Sequence, residues 1–264
     1  MQEKQQLTVP FAIVAAGAII ALAVIISGGK STPVPTEKIT PPTSNSDTME
    51  IRPVSETDHI KGNPNAKLIL IEYSDLECPF CKSFHDVMER VSEKYGKKGE
   101  TAWVYRHFPI ENLHPKARTE AEATECAGKI GGNEVFWNYV NKIFEITPSN
   151  NGLDLTLLPK IAEELGLPKK EFASCLSNKT FAGRVEDDYA DGLKAGVRGT
   201  PHTVIVLKKN ISSSQKEKLV ELYSQFADQR TGETPIGFSA DEKKIGVSGA
   251  LPYPIWEKTI EILR

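Results

Sequence analysis

Cysteine is scarce in this chain: four residues in 264. That is too few for a disulfide-rich scaffold, and too few for a multi-cysteine zinc or iron–sulfur framework. A strong excess of one charge is also missing. Lys plus Arg number 32 and Asp plus Glu 35, a formal charge of −3. This balance excludes general electrostatic attraction to nucleic acid or to an anionic membrane surface. Internal repeats are absent and only one long uncharged apolar run occurs, which excludes solenoids and multi-span membrane proteins. With 39% of residues in the AVILMFWYC class and 25% charged, the rest reads as an ordinary globular protein of one or two domains.

What is present begins with that apolar run, residues 9–26, which follows a short tail at 1–8 and ends at Ser27-Gly28-Gly29-Lys30. Roughly 18 apolar residues at a rise of 1.5 Å span about 27 Å, close to a bilayer's ~30 Å hydrocarbon core. The expectation is an uncleaved transmembrane anchor over 9–27. A cleaved signal peptide and a buried core helix stay open as alternatives. Lys4 is the one basic residue ahead of the run, so loop charge says little about orientation. Residues 28–59 turn to Ser, Thr and Pro, with Pro33, Pro35, Pro41, Pro42 and Pro53, and read as an unstructured linker.

A folded domain is expected over 60–264. Residues 67–73 (KLILIEY) form a short, branched, apolar run typical of a buried strand. A helix follows, with Phe84, Val87, Met88, Val91 and Tyr95 at helical spacing, and 101–108 (TAWVYRHF) is a second strand. Helical patterning then fills about 115–194, broken at Gly131-Gly132, at 148–154 and at 166–168. Strands return at 202–207 and 244–247, and a helix at 254–263 closes the chain. This order predicts an α/β fold with an inserted helical subdomain.

The chemistry starts at Cys78-Pro79-Phe80-Cys81. A C-x-x-C is half a zinc site, a structural pair or a redox pair. A zinc site needs two more ligands at workable spacing, and no second C-x-x-C or His pair is there. His85, four residues after Cys81, keeps a copper or zinc reading through Cys78, Cys81 and His85 alive. Position favours redox chemistry, because Cys78 falls at a strand-to-helix junction. The first helical turn there presents free N–H groups and the positive end of the dipole to a thiolate. The outer sulfur can then attack a partner, and the inner one resolves the mixed disulfide. Residues 197–201 (VRGTP) precede the strand at 202–207. If the Thr200–Pro201 bond is cis, the Thr200 backbone can face the cysteine pair and dock an extended substrate; an ordinary trans proline opening a strand is the alternative.

Five motifs together carry a family resemblance: Gly62-Asn63-Pro64, Ile71-Glu72-Tyr73-Ser74-Asp75, Cys78-Pro79-Phe80-Cys81-Lys82, Tyr105-Arg106-His107-Phe108-Pro109 and Gly196-Val197-Arg198-Gly199-Thr200-Pro201. In this order, from about residue 60 to the C-terminus, the chain resembles the DsbA-like thioredoxin-fold oxidoreductases, extracytoplasmic bacterial enzymes with a helical domain inserted in a thioredoxin fold. The resemblance implies that Cys78 is the nucleophile, Cys81 the resolving cysteine and Pro201 the cis proline. It also implies that Glu72 is the buried acid serving Cys81; an edge-strand carboxylate facing water is the alternative for Glu72.

The activity so implied is a membrane-anchored thiol:disulfide oxidoreductase, with its catalytic domain on the extracytoplasmic side, donating the Cys78–Cys81 disulfide to exported proteins with free thiols. It needs no cofactor or metal, works as a monomer and is reoxidised by a quinone-linked membrane partner. A reductase or isomerase of the same fold is the runner-up. Two departures stand out. Pro79-Phe80 separates the cysteines, whereas the strongly oxidising members carry a histidine next to the second one. Residues 208–242 intervene where the family often has a short hairpin, and they read as an added helix and loop. Four cysteines make an even count, and an oxidising compartment favours pairing, so a Cys126–Cys175 bridge is expected; two separate buried thiols are the alternative.

Overall fold

Apolar residues at period two and period 3.6 alternate along the chain, and each run becomes an element of one sheet or of a helix packed on it. The structure, a computed structural model, describes residues 49–264. The expected anchor at 9–27 and linker residues 28–48 lie outside the described residues. Among the described residues, no helix is long and apolar enough to cross a membrane.

The strands are β1 (His59–Gly62), β2 (Leu68–Ser74), β3 (Thr101–His107), β4 (His202–Leu207), β5 (Ile236–Phe238) and β6 (Lys244–Ser248). The helices are α1 (Pro79–Val91), α2 (Ala117–Ile146), α3 (Leu158–Glu164), α4 (Lys169–Ser177), α5 (Ala182–Lys194), α6 (Ser213–Ser224) and α7 (Tyr253–Leu263). The sheet runs β1-β3-β2-β4-β6-β5. β2 and β3 pair in parallel through the α1 crossover, and every other neighbouring pair is antiparallel. An α/β thioredoxin-like fold with helices α2 to α5 inserted between β3 and β4 is therefore what the sequence order builds.

β2 lies inside the sheet, so both of its faces are covered. Leu68 and Leu70 join a large core with Phe84 and Met88 of α1, Tyr223 of α6 and Trp256 of α7. Ile71 and Tyr73 point the other way, against Phe108, Val197 and Val204. The second face is closed by α5, whose Gly192 leaves room for Phe108. A Cβ there would sit 2.5 Å from the Phe108 ring.

Two sequence expectations need correction. The linker does not run to residue 59: Met49, Ile51 and Val54 pack on the second face, and residues 59–62 are edge strand β1. That strand is short and half-polar, and pairing with β3, not an apolar run, makes it a strand. A buried ionic cluster also fastens this segment. Fully buried Arg106 donates to Asp58 (3.0 Å) and Asp191 (2.6 Å), and Arg52 donates to Asp188 (2.7 Å). Such charges are tolerable in the interior because each is paired. The second correction is within 208–242, where the expected helix exists as α6, but Ile236–Phe238 also pairs with β6 as a hairpin. Three residues carry too little periodicity to show in sequence. The expected break at Gly131-Gly132 is present: Gly132 has a φ of +84°, and α2 is two helical pieces that meet there at a kink.

Candidate active site

α1 starts where β2 ends, and its first turn is built around cysteine. Cys78 occupies the N-cap with extended backbone (φ −77°, ψ 122°), and Pro79 follows at the first helical position, where a missing N–H costs nothing. No acidic side chain enters that first turn. The helix dipole and its free N–H groups therefore act on the Cys78 sulfur alone.

The two thiols are driven apart. The Cys78 pKa is lowered to about 6, first by the hydrogen bond from the Cys81 thiol, against the cost of burial, and then by the Cys81 and Phe80 backbone N–H groups and by Thr200. Cys81 is pushed well above the usual thiol range, first by burial and then by its neighbours Cys78 and Glu72. Its sulfur accepts the Asp75 N–H at 3.4 Å. The difference in exposure between the outer and the inner sulfur is narrow. Cys78 is 5% exposed and Cys81 fully buried, because the β4 loop closes over the pair. What projects into solvent is Phe80, 64% exposed.

Thr200 and Pro201 arrive from the other end of the domain, and their peptide bond is cis. The Thr200 carbonyl accepts from the Cys78 thiol at 3.5 Å, so the backbone just before β4 faces the N-terminus of α1. Glu72 is not an edge carboxylate. It sits in β2 between Tyr105 and Thr203 of its neighbours, wholly buried, with Oε2 accepting the Trp103 indole N–H at 2.9 Å and Oε1 unpartnered. Burial raises its pKa to about 7. Glu72 shares the α1 side of the sheet with Leu70, which explains how its charge reaches Cys81.

His85, by contrast, is packed among aromatic rings. It is buried between Trp103 and Phe144, and its Nε2 accepts from the Asn141 amide at 2.7 Å. Burial lowers its pKa and keeps the ring neutral. Among the described residues, no three His, Cys, Asp or Glu side chains converge as a metal site. Cys126 and Cys175 are bonded to each other, tying α2 to α4.

Trp103 belongs to none of the sequence motifs, and Asp75 enters only as the last residue of one, with no role assigned. Trp103 is opposite Leu70 in the β2–β3 register, one diagonal step from Glu72, and only that register reveals the contact. Asp75 acts through its backbone N–H, for which a side-chain motif gives no signal.

A family model described as Thioredoxin matches residues 54–223. The chain belongs to the thioredoxin family. Among solved structures, it is similar to α-DsbA1 of Wolbachia pipientis (23% identity, 82% of this chain and 95% of that one, TM-score 0.60). It is also similar to BdbD of Bacillus subtilis (20% identity, 81% and 97%, TM-score 0.59). These likenesses put this thioredoxin-family fold alongside the DsbA proteins. Curated relatives include the Na(+)/H(+) antiporter NhaA 1 of Mycolicibacterium gilvum, 32% identical over 155 residues, which are 57% of this chain and 24% of the relative. The chain thus spans about a quarter of the length of the curated relatives it matches.

Proposed function

We propose that this thioredoxin-family protein is a thiol:disulfide oxidoreductase that passes the Cys78–Cys81 disulfide to exported proteins. The observation that carries this reading is the opposed acidity of the two sulfurs: Cys78 lowered to about 6 at a helix N-terminus, Cys81 raised within the core. A stabilised Cys78 thiolate makes the reduced pair the favoured product, which drives disulfide donation.

In the oxidised protein, a substrate thiolate attacks Cys78 Sγ, and the bond to Cys81 Sγ breaks. Cys81 leaves with the electron pair and takes up a proton. Glu72, with a pKa near 7, is the buried acid on the same side of the sheet that serves this transfer. A second substrate thiolate attacks the substrate sulfur of the mixed disulfide, and Cys78 departs as a thiolate. Two electrons have moved from the substrate dithiol to the pair. The exposed Phe80 and the Thr200 backbone form the surface on which an extended substrate would lie.

The apolar run at 9–26 would hold this domain at the outer face of the membrane as a monomer, and a quinone-linked membrane protein would reoxidise it. Support for a membrane setting comes from relatives in which a matching segment is part of a protein named as an antiporter. Reduction or isomerisation would use the same cysteines in the other direction. Equilibrating the full-length protein in detergent with glutathione buffers measures the Cys78–Cys81 potential. A value well above thioredoxin's approximately −270 mV is expected, and one at or below it would reverse the assigned direction.

A further inference from the structure

The residue before the nucleophile, Glu77, is a wholly buried carboxylate. Its Oε1 accepts the Leu153 N–H and its Oε2 the Gly152 N–H, each at 3.2 Å. Its carbonyl accepts the Asn150 N–H at 2.8 Å, and its own N–H donates to Asp75 Oδ1 at 2.8 Å. Glu77 therefore fastens the loop joining α2 to α3 directly beside Cys78. In contact with Glu77 lies a second carboxyl, Glu120, from the first turn of α2. Glu120 is also wholly buried, and among the described residues neither of its oxygens receives a hydrogen bond from any donor.

Two buried carboxylates in contact cannot both be ionised. The N–H groups decide between them: Glu77 is held by two, Glu120 by none. The proton belongs on Glu120, which then donates to Glu77. Other charged groups nearby are already engaged. Asp75 accepts from the Ile110 N–H (2.8 Å) and faces His114 Nδ1 (3.0 Å). Lys116 donates to the Asn151 and Leu153 carbonyls (2.7 and 2.6 Å), and Lys82 to the Thr147 carbonyl (2.6 Å). Burial, followed by Glu77, pushes the Glu120 pKa up to about 10.

We infer that Glu120 is a positioning residue, a neutral carboxylic acid whose proton bridges to Glu77 and so holds the inserted helices' loop against the residue preceding Cys78. This role rests on the exchange reading of Cys78, but the protonation it requires does not. The inserted domain is thereby more than decoration: one of its side chains keeps the nucleophile's own segment in place.

The test compares the full-length protein with E120Q and E120L. Glutamine keeps the shape and a neutral donor; leucine keeps neither hydrogen bond. A carboxyl protonated in the native state and ionised in the unfolded chain lowers the folding equilibrium constant about tenfold for each pH unit between its two pKa values. Between pH 7.5 and 9.5, the wild-type stability relative to E120Q should fall by that factor per unit. A constant ratio means that Glu120 is ionised, and the inference fails. In disulfide exchange with a reduced peptide at pH 7, E120L should be slower by about tenfold or more, and E120Q should restore the rate. Equal rates for the two variants remove the positioning role. The stability comparison uses only the isosteric variant and stands if E120L does not fold. Absence of exchange in the wild type would sink the proposed function while leaving the shared proton intact.

Discussion

The two cysteine pairs of this protein differ in every respect that matters to sulfur chemistry. Cys78 and Cys81 are three residues apart, both free, at the mouth of a helix where backbone N–H groups favour one thiolate. Cys126 and Cys175 are 49 residues apart, bonded, and belong to two helices of the insertion. The first pair is made different from within by a local element, so one sulfur becomes acidic and its partner does not. The second joins two helices of the insertion and closes a long loop. Spacing alone separates a pair suited to exchange from a pair suited to restraint. A short spacing puts both sulfurs on one helical turn, while a long one removes conformational freedom from the unfolded chain.

The sharpest way to break this contrast is to delete the outer sulfur. Cys78→Ser should abolish exchange with a reduced peptide, whereas Cys81→Ser should accumulate mixed disulfides visible on non-reducing gels. Trapping by the Cys78 variant instead would interchange the two roles. Next in size is the second pair. Replacing both Cys126 and Cys175 with Ala should cost about 4 kcal/mol in the chain-entropy picture for a 49-residue loop. Calorimetry should show a melting temperature lower by about 10 °C, with exchange at room temperature retained. Loss of exchange in the folded variant would mean that the second pair takes part in the chemistry.

A third prediction concerns Glu72, whose pKa rises from 4.5 to about 7 on burial. The stability tied to its protonated form is complete below pH 4.5 and is lost as pH rises to 7. Glu72→Gln should therefore leave the reduced protein's stability unchanged at pH 4 and increase it by about 3 kcal/mol at pH 8. A pH-independent difference in urea unfolding would show that the carboxyl is not buried in its acid form. The smallest effect is kinetic. Attack by the reduced protein on a disulfide substrate should rise with pH and level off above about 6, following the Cys78 thiolate. At pH 5 the rate should be about tenfold below the plateau. A midpoint near 9 would mean that the helix N-terminus does not activate this sulfur.

Much of the site was legible because its signals are local. The C-x-x-C, the proline at the start of α1 and the apolar strand before it are neighbours in sequence, and helix-end chemistry needs nothing more. Thr200 and Pro201 are legible as a proline opening a strand, but only the resemblance makes Pro201 the cis proline, since nothing in residues 197–201 says which strand β4 will pair with. Strands β1 and β5 escaped notice because four and three residues give no usable period. Residues 49–58 were read as linker because Pro53 and the polar residues around it outweigh Met49, Ile51 and Val54, which become core only against Tyr73 and Phe108.

From sequence alone, then, came the α/β order, the inserted helical block and the candidate cysteine pair, all of which depend on periodicity or on capping within a few residues. Tertiary structure decided what those sulfurs and carboxyls can do. The Thr200 carbonyl meets Cys78 across 122 residues. Glu72 becomes a weak acid because β3 and β4 enclose it, and Glu120 stays protonated because α2 carries it to Glu77. Acidity depends on dielectric and on neighbouring charge, and in the interior of this domain both are set by segments remote in the chain.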